Sequence, residues 1–204
     1  MYDIASTIVD SIRSIETSSG NIANIYTNGY KSKKLEFLID SNGPADSHQY
    51  NVNSKGSAIN TSNSNDVYIA EGFFQYEKDG EKYNASSLSM WVDENGFLRS
   101  QNQGYVLSSS DERIFIGPDG FSIEEGASIY SNGELIDSPK VIDQTGRLID
   151  APQINKGFVE GSNVNQLSEI QIILNNSKKI NTITSGLSRY DNMMAILNDH
   201  VGKI

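Results

Sequence analysis

The chain has 204 residues and a mass of 22.4 kDa, enough for one ordinary domain or two small ones. Its 16 basic and 26 acidic residues give a formal net charge of −10, which repels a phosphate polyanion and sets aside general nucleic-acid binding. Cysteine is absent and the histidines are His48 and His200 alone, so disulfide scaffolds, thiolate metal sites, cysteine nucleophiles and His-rich metal centres are excluded.

The chain opens MYDIAST, with neither a basic n-region nor an apolar h-region, so no cleaved secretory signal is expected. No apolar run approaches the roughly 18 residues of a membrane span, and no membrane insertion is expected. Ile8, Ile15 and Ile22 recur every seven residues, with Ile4, Ile12 and Ile25 on the same side of a helix. Asp3 suits the start of that helix, where a carboxylate meets the positive end of the dipole. A short basic cluster, KSKK at 31–34, follows. It suits an acidic neighbour and is too small for a nucleic-acid patch. Residues 41–65 hold six Ser and six Asn with few apolar side chains, a composition that reads as a flexible or extended connector.

The period then changes to two. Short β-rich runs, VYI at 67–69, MWV at 90–92, IFI at 114–116 and SIY at 128–130, are separated by Asp79-Gly80, Asn95-Gly96, Asp119-Gly120 and Asn132-Gly133. Those dipeptides favour tight hairpin turns, so 66–156 reads as an antiparallel β domain. Trp91, between Met90 and Val92, is expected in its core. NGELIDSPKVI at 132–142 and TGRLIDAPQI at 145–154 share G-x-L-I-D-x-P-x-[VI], most simply two successive hairpin units. Asp93-Glu94-Asn95-Gly96 suggests a calcium loop, but its glycine falls fourth rather than sixth and the closing Glu is missing, so it reads as a turn. Phosphate-binding, nucleophile-elbow and zinc-helix motifs do not occur. The adjacent carboxylates Asp111-Glu112 and Glu124-Glu125 do not by sequence define a catalytic pair. No catalytic residue, cofactor or metal site is expected, and the chain reads as a non-enzyme.

Asn163 in SNVN suits the cap of a C-terminal helix. From about 164 to 201 that helix would run roughly 57 Å, too long to be buried within a 22.4 kDa globule. Ile173, Ile180, Leu187, Met194 and Val201 recur every seven residues, and Ile183, Tyr190, Leu197 and Ile204 repeat the period three positions on. Together they form an a/d seam for packing on other helices. The charge follows the same division. Residues 66–160 hold 17 acids and 7 bases, whereas the rest of the chain holds 9 of each. Neutral ends can pack on copies of themselves without like-charge repulsion.

Three segments in order resemble the flagellar rod, hook and hook-associated proteins. NIANIYTNGYKSKK at 21–34 is similar to their N-x-A-N-x-x-T-x-G-Y/F-K run through Asn21, Ala23, Asn24, Thr27, Gly29, Tyr30 and Lys31, with Asn28 where proline is common. The stretch 71–107 is similar to their G-F-F, D-x-x-G-x-L and G-Y-x-V-L elements through Gly72, Phe73, Phe74, Asp93, Gly96, Leu98, Gly104 and Tyr105. GFVEGSNVNQLSEI at 157–170 resembles the run that opens the family's C-terminal helix, through Gly157, Glu160, Ser162, Asn163 and Val164. Lys178, Ile180 and Ile183 depart from the usual Arg, aromatic and Asn. The short central sequence places the proximal-rod type first and the distal-rod type next.

The resemblance implies an axial structural subunit of the bacterial flagellar basal body. It would be exported through the flagellar type III apparatus and assembled in the periplasm with itself and other rod and hook proteins. The expected fold is α+β, with N- and C-terminal helices pairing as a coiled-coil or helical bundle and a central antiparallel β domain. The expected segments are 1–40, the N-terminal helix and signature loop; 41–65, the connector; 66–156, the β domain; and 157–204, the C-terminal helix. The expected assembly residues are Ile8, Ile15, Ile22, Asn24, Thr27, Gly29, Tyr30, Ile173, Ile180, Ile183, Leu187, Tyr190, Met194, Leu197 and Val201. The competing readings are a soluble β-domain binding module whose C-terminal helix packs on itself, a hook or distal-rod member of the same family, and an acidic-domain hydrolase.

Overall fold

A stretch with no proline and one glycine forms α1, Tyr2–Ala23, and a second proline-free stretch forms α2, Gln166–Val201. The computed structural model describes residues 2–38, 46–101 and 104–201, and its architecture is α+β with a mostly antiparallel β domain. The chain folds as two units. One takes α1, the strands β1 (Lys33–Leu38) and β2 (Asp46–Asn51), and α2; the other takes Thr27–Tyr30 and Ser54–Ser162.

In the helical unit β1 and β2 pair antiparallel, from Lys33 opposite Asn51 to Leu38 opposite Asp46. α1 touches both α2 and β1. Within the Ser/Asn-rich stretch, Asp46–Asn51 is thus an extended, paired strand rather than a flexible connector. A ladder is held by backbone hydrogen bonds, so exposed polar side chains do not prevent a strand from forming. The helix cap also differs from expectation. Ser168 N–H donates to Asn165 Oδ1 at 3.1 Å, so Asn165 rather than Asn163 caps α2. The side chain of Asp3 lies outside the described residues.

The second unit is built from β3 (Ala58–Asn60), β4 (Asp66–Ile69), β5 (Phe73–Lys78), β6 (Glu81–Ala85), β7 (Ser87–Val92), β8 (Leu98–Ser100), β9 (Tyr105–Val106), β10 (Ser122–Ile123), β11 (Ile129–Ser131), β12 (Glu134–Asp137), β13 (Val141–Ile142), β14 (Ile154–Lys156) and β15 (Phe158–Glu160). The large sheet runs β13-β5-β9-β8-β7-β4-β14, with β6 also on β5; β10-β11-β12 and β15-β3 form smaller sheets. Val67, Ile69, Phe74, Leu88, Leu98, Val106 and Ile129 are fully buried and form one apolar core.

The turn dipeptides act as their chemistry suggests at Asp79-Gly80 and Asn132-Gly133. Both residues of each pair have positive φ, and they join β5 to β6 and β11 to β12 as two-residue hairpins. Asp119-Gly120 lies in a bend instead and joins no hairpin. Both copies of the repeat begin at a left-handed glycine, Gly133 or Gly146, and end by adding backbone to the large sheet. Val141 pairs with Phe74, and Ile154 pairs with Ile69.

Two apolar runs need correcting. Trp91 is 44% exposed, because alternation turns it away from the face that buries Met90. In 114–116 the outer two residues are buried and Phe115 is 57% exposed, with isolated bridges rather than a full strand.

Candidate assembly surface

The a/d seam of α2 changes character along its length. Glu169 is buried, and Ile173, Asn176, Ile180 and Ile183 are half-buried, which traces the heptad through the first half of the helix. From Thr184 to His200 every residue is exposed. Leu187, Tyr190, Met194 and Leu197 therefore present an exposed apolar stripe, from 37% exposure at Leu187 to 55% at Tyr190. The side chain of Val201 and the whole of Ile204 lie outside the described residues. Length accounts for part of this pattern: α1 has 22 residues against 36 in α2, so one helix cannot cover the other end to end.

On α1 the expected residues Ile8, Ile15 and Ile22 are half-buried. The most buried positions lie beside them and are small and polar: Ser11, Ser18 and Asn21, with Thr7 and Ser14 half-covered on the same stripe. Ser11 Oγ donates to Thr7 C=O at 2.8 Å, which lets a hydroxyl sit buried. Ile4 and Ile12 are exposed. Sequence reading passed over this stripe because it looked for apolar residues; the seven-residue spacing of Ser11 and Ser18 was the available signal. A cavity of about 190 Å³ lies among Ser14, Thr17 and Ser18 of α1, Lys33 to Leu35 of β1, and Glu169 and Ile172 of α2.

The signature residues do local structural work. Asn21 is fully buried and clasps Lys33, donating to its C=O and accepting from its N–H, both at 2.8 Å. Asn163 makes a second clasp where β1 and β2 come together: its Oδ1 accepts from Ser32 N–H at 2.6 Å and its Nδ2 donates to Val52 C=O at 2.8 Å. Asn24 Nδ2 donates to Gly20 C=O, closing the end of α1.

In the β unit Tyr30 N–H donates to Thr27 C=O, and Gly29, at φ 69°, donates from its N–H to Glu160 C=O at 2.7 Å. Thr27 and Gly29 are exposed and Tyr30 is half-buried. The buried Glu160 carboxylate accepts from Gly56 N–H at 2.7 Å, so its charge is met by a backbone donor. Desolvation raises the Tyr68 pKa above the ordinary phenol value, and the charge of Glu160 adds to the rise. A Cβ on Gly56 would lie 2.0 Å from Gly161 O, so these two backbones approach too closely for any side chain.

Among the described residues no group of three or more His, Asp or Glu side chains could hold a metal ion. Among the same residues no helix is long and apolar enough to cross a membrane. No protein-family model matches the chain, and no curated protein matches it.

Proposed function

We propose that this chain is a structural subunit of the bacterial flagellar basal-body rod, polymerising through its terminal helices around the export channel. The observation that carries this reading is the exposed stripe Leu187, Tyr190, Met194 and Leu197 on a helix whose seam is half-covered only as far as Ile183. An apolar stripe of this kind gains by burial against another helix, at about 25 cal/mol per Å² removed from water. In this reading α1 and α2 pair as a coiled coil, and the exposed half of α2 extends the bundle onto neighbouring subunits. Non-closing, head-to-tail contacts of this kind build filaments. The chain works without cofactor, metal or catalytic residue. It reaches the periplasm through the flagellar type III export apparatus, and its partners are itself and the other rod and hook axial proteins. The ordered resemblance at 21–34, 71–107 and 157–170 supports the same reading.

A second reading, a β-domain binding module whose C-terminal helix packs on its own chain, is favoured by the half-burial of Ile173, Ile180 and Ile183. Replacing Ile180 and Leu187 together with Asp separates the two. For a rod subunit, assembly and motility are lost while the β domain keeps its melting transition. Loss of the whole fold would overturn the rod reading in favour of the self-packed module.

A further inference from the structure

Two of the best-covered polar side chains of the helical unit, Ser18 on α1 and Glu169 on α2, border the cavity of about 190 Å³. Ser14, Lys33, Leu35 and Ile172 line it with them. Strand alternation sets Lys33 on the same side of β1 as Leu35, which lies opposite Gln49 in the ladder with β2. Gln49 Nε2 donates to Thr17 Oγ1 at 3.2 Å, so that side of the ribbon is the one meeting α1. Lys33 therefore projects on the cavity side, and Lys34 on the other.

The cavity holds charges and hydroxyls that the chain leaves unmet. Glu169 is 8% exposed and Ser18 is 3% exposed. Neither the Glu169 carboxylate nor the Ser18 hydroxyl makes a hydrogen bond or an ion pair with any described residue. A carboxylate so deeply placed is expensive without a counter-charge or a donor. The exposed Lys33 ammonium also forms no ion pair, so it does not reach Glu169 although both line one space. The cavity thus has a negative charge in its depth, a positive charge at its rim, and apolar wall from Leu35 and Ile172.

We propose that this cavity binds a small zwitterion, an α-amino acid with a short aliphatic side chain. The ammonium of the ligand meets Glu169 and the Ser18 hydroxyl, and its carboxylate meets Lys33. Leu35 and Ile172 cover its carbon atoms. Size agrees: 190 Å³ is the share of about six waters at about 30 Å³ each, which is room for roughly six heavy atoms. A lone cation would leave Lys33 unmet, and a lone anion would leave Glu169 unmet. A tightly held divalent ion has too few carboxylates here, because no group of three or more His, Asp or Glu occurs among the described residues. Since α1, β1 and α2 all contribute, the ligand binds the folded helical unit and stabilises it by mass action.

The test is a titration of the isotope-labelled full chain, followed by its amide resonances, with thermal melts alongside. The probes are glycine and alanine, with acetate, ethylammonium and sodium chloride as single-charge controls at matched ionic strength. The expected result is saturable shifts at the Ser18, Lys33 and Glu169 amides with glycine and alanine, and a melting temperature that rises with their concentration. Acetate, ethylammonium and sodium should bind at least tenfold more weakly. Glu169→Gln and Lys33→Met remove the two charges separately and should each weaken binding at least tenfold, so either decides if the other fails to fold. Ethylammonium or sodium binding as tightly as the amino acids would make this a cation site and overturn the proposal. Shifts that do not saturate, or that persist unchanged in both variants, would overturn it as well.

Discussion

The two units solve burial in opposite ways. The β unit hides Val67, Ile69, Phe74, Leu88 and Leu98 completely and satisfies its chain ends with tight turns. In the helical unit the best-covered helix positions are Ser11, Ser18, Asn21 and Glu169, while Leu187, Tyr190, Met193, Met194, Ile196 and Leu197 stand exposed. A unit of the first kind is held by apolar area removed from water. The second half-buries Ile8, Ile15, Ile22, Ile173, Ile180 and Ile183, adds side-chain clasps such as Asn21 on Lys33, and leaves much apolar surface exposed. The contrast indicates where stability resides: the β unit supplies a closed core, and the second half of α2 leaves its apolar side chains exposed.

Mutations should expose that difference directly. Phe74→Ala, at a fully buried position, is expected to cost about 3–5 kcal/mol in chemical denaturation of the β unit. Gly56→Ala forces its new methyl into Gly161 O and is expected to cost about 1–3 kcal/mol, read in the same experiment. In the helical unit, Asn21→Ala strands both backbone groups of Lys33. It should cost about 1–3 kcal/mol, seen as faster hydrogen exchange at the Lys33 amide. At the other extreme, Leu197→Ala on the dilute chain should change stability by less than about 0.5 kcal/mol, because half of its surface is already in water. A large loss from Leu197→Ala would erase the contrast between the units.

Acid should act through the β unit's ion pairs. The ammonium groups of Lys140 and then Lys82 hold the Asp111 carboxyl below its usual 3.8. Asp143 is lowered by the Thr145 hydroxyl first and by the Arg147 N–H next. A carboxyl lowered by folding adds stability above its unfolded value and loses it as pH falls through the folded value. The melting temperature of wild type should therefore fall below about pH 3.8, and Asp111→Asn should flatten that fall.

Much of this division was legible in the residues, for identifiable reasons. A helix maps sequence onto faces with a fixed period, so the seven-residue series picked out the half-buried Ile173, Ile180 and Ile183 but not the point where exposure begins, and Asn132-Gly133 marked a hairpin because both positions need positive φ. Trp91 was misread because its apolar neighbours suggested a core, although strict alternation sets it opposite Met90. The strand β2 carried no apolar signal, since its pairing with β1 depends on backbone groups that every residue has. The clasp of Asn163 on Ser32 and Val52 joins positions too far apart in the chain for any local pattern to show. The same holds for the Tyr105 ring, which Arg99 and Arg113 meet only once the sheet is formed.

The central claim is that the apolar side chains Leu187, Tyr190, Met194 and Leu197 stand exposed to water in the dilute chain. Hydrogen exchange of the dilute and the concentrated full-length chain, read residue by residue, tests it most directly. The expected result is weak protection of 184–200 at low concentration beside strong protection of β4, β5 and β7, with protection of 184–200 rising as concentration increases. Strong protection of 184–200 that does not change with concentration would contradict it.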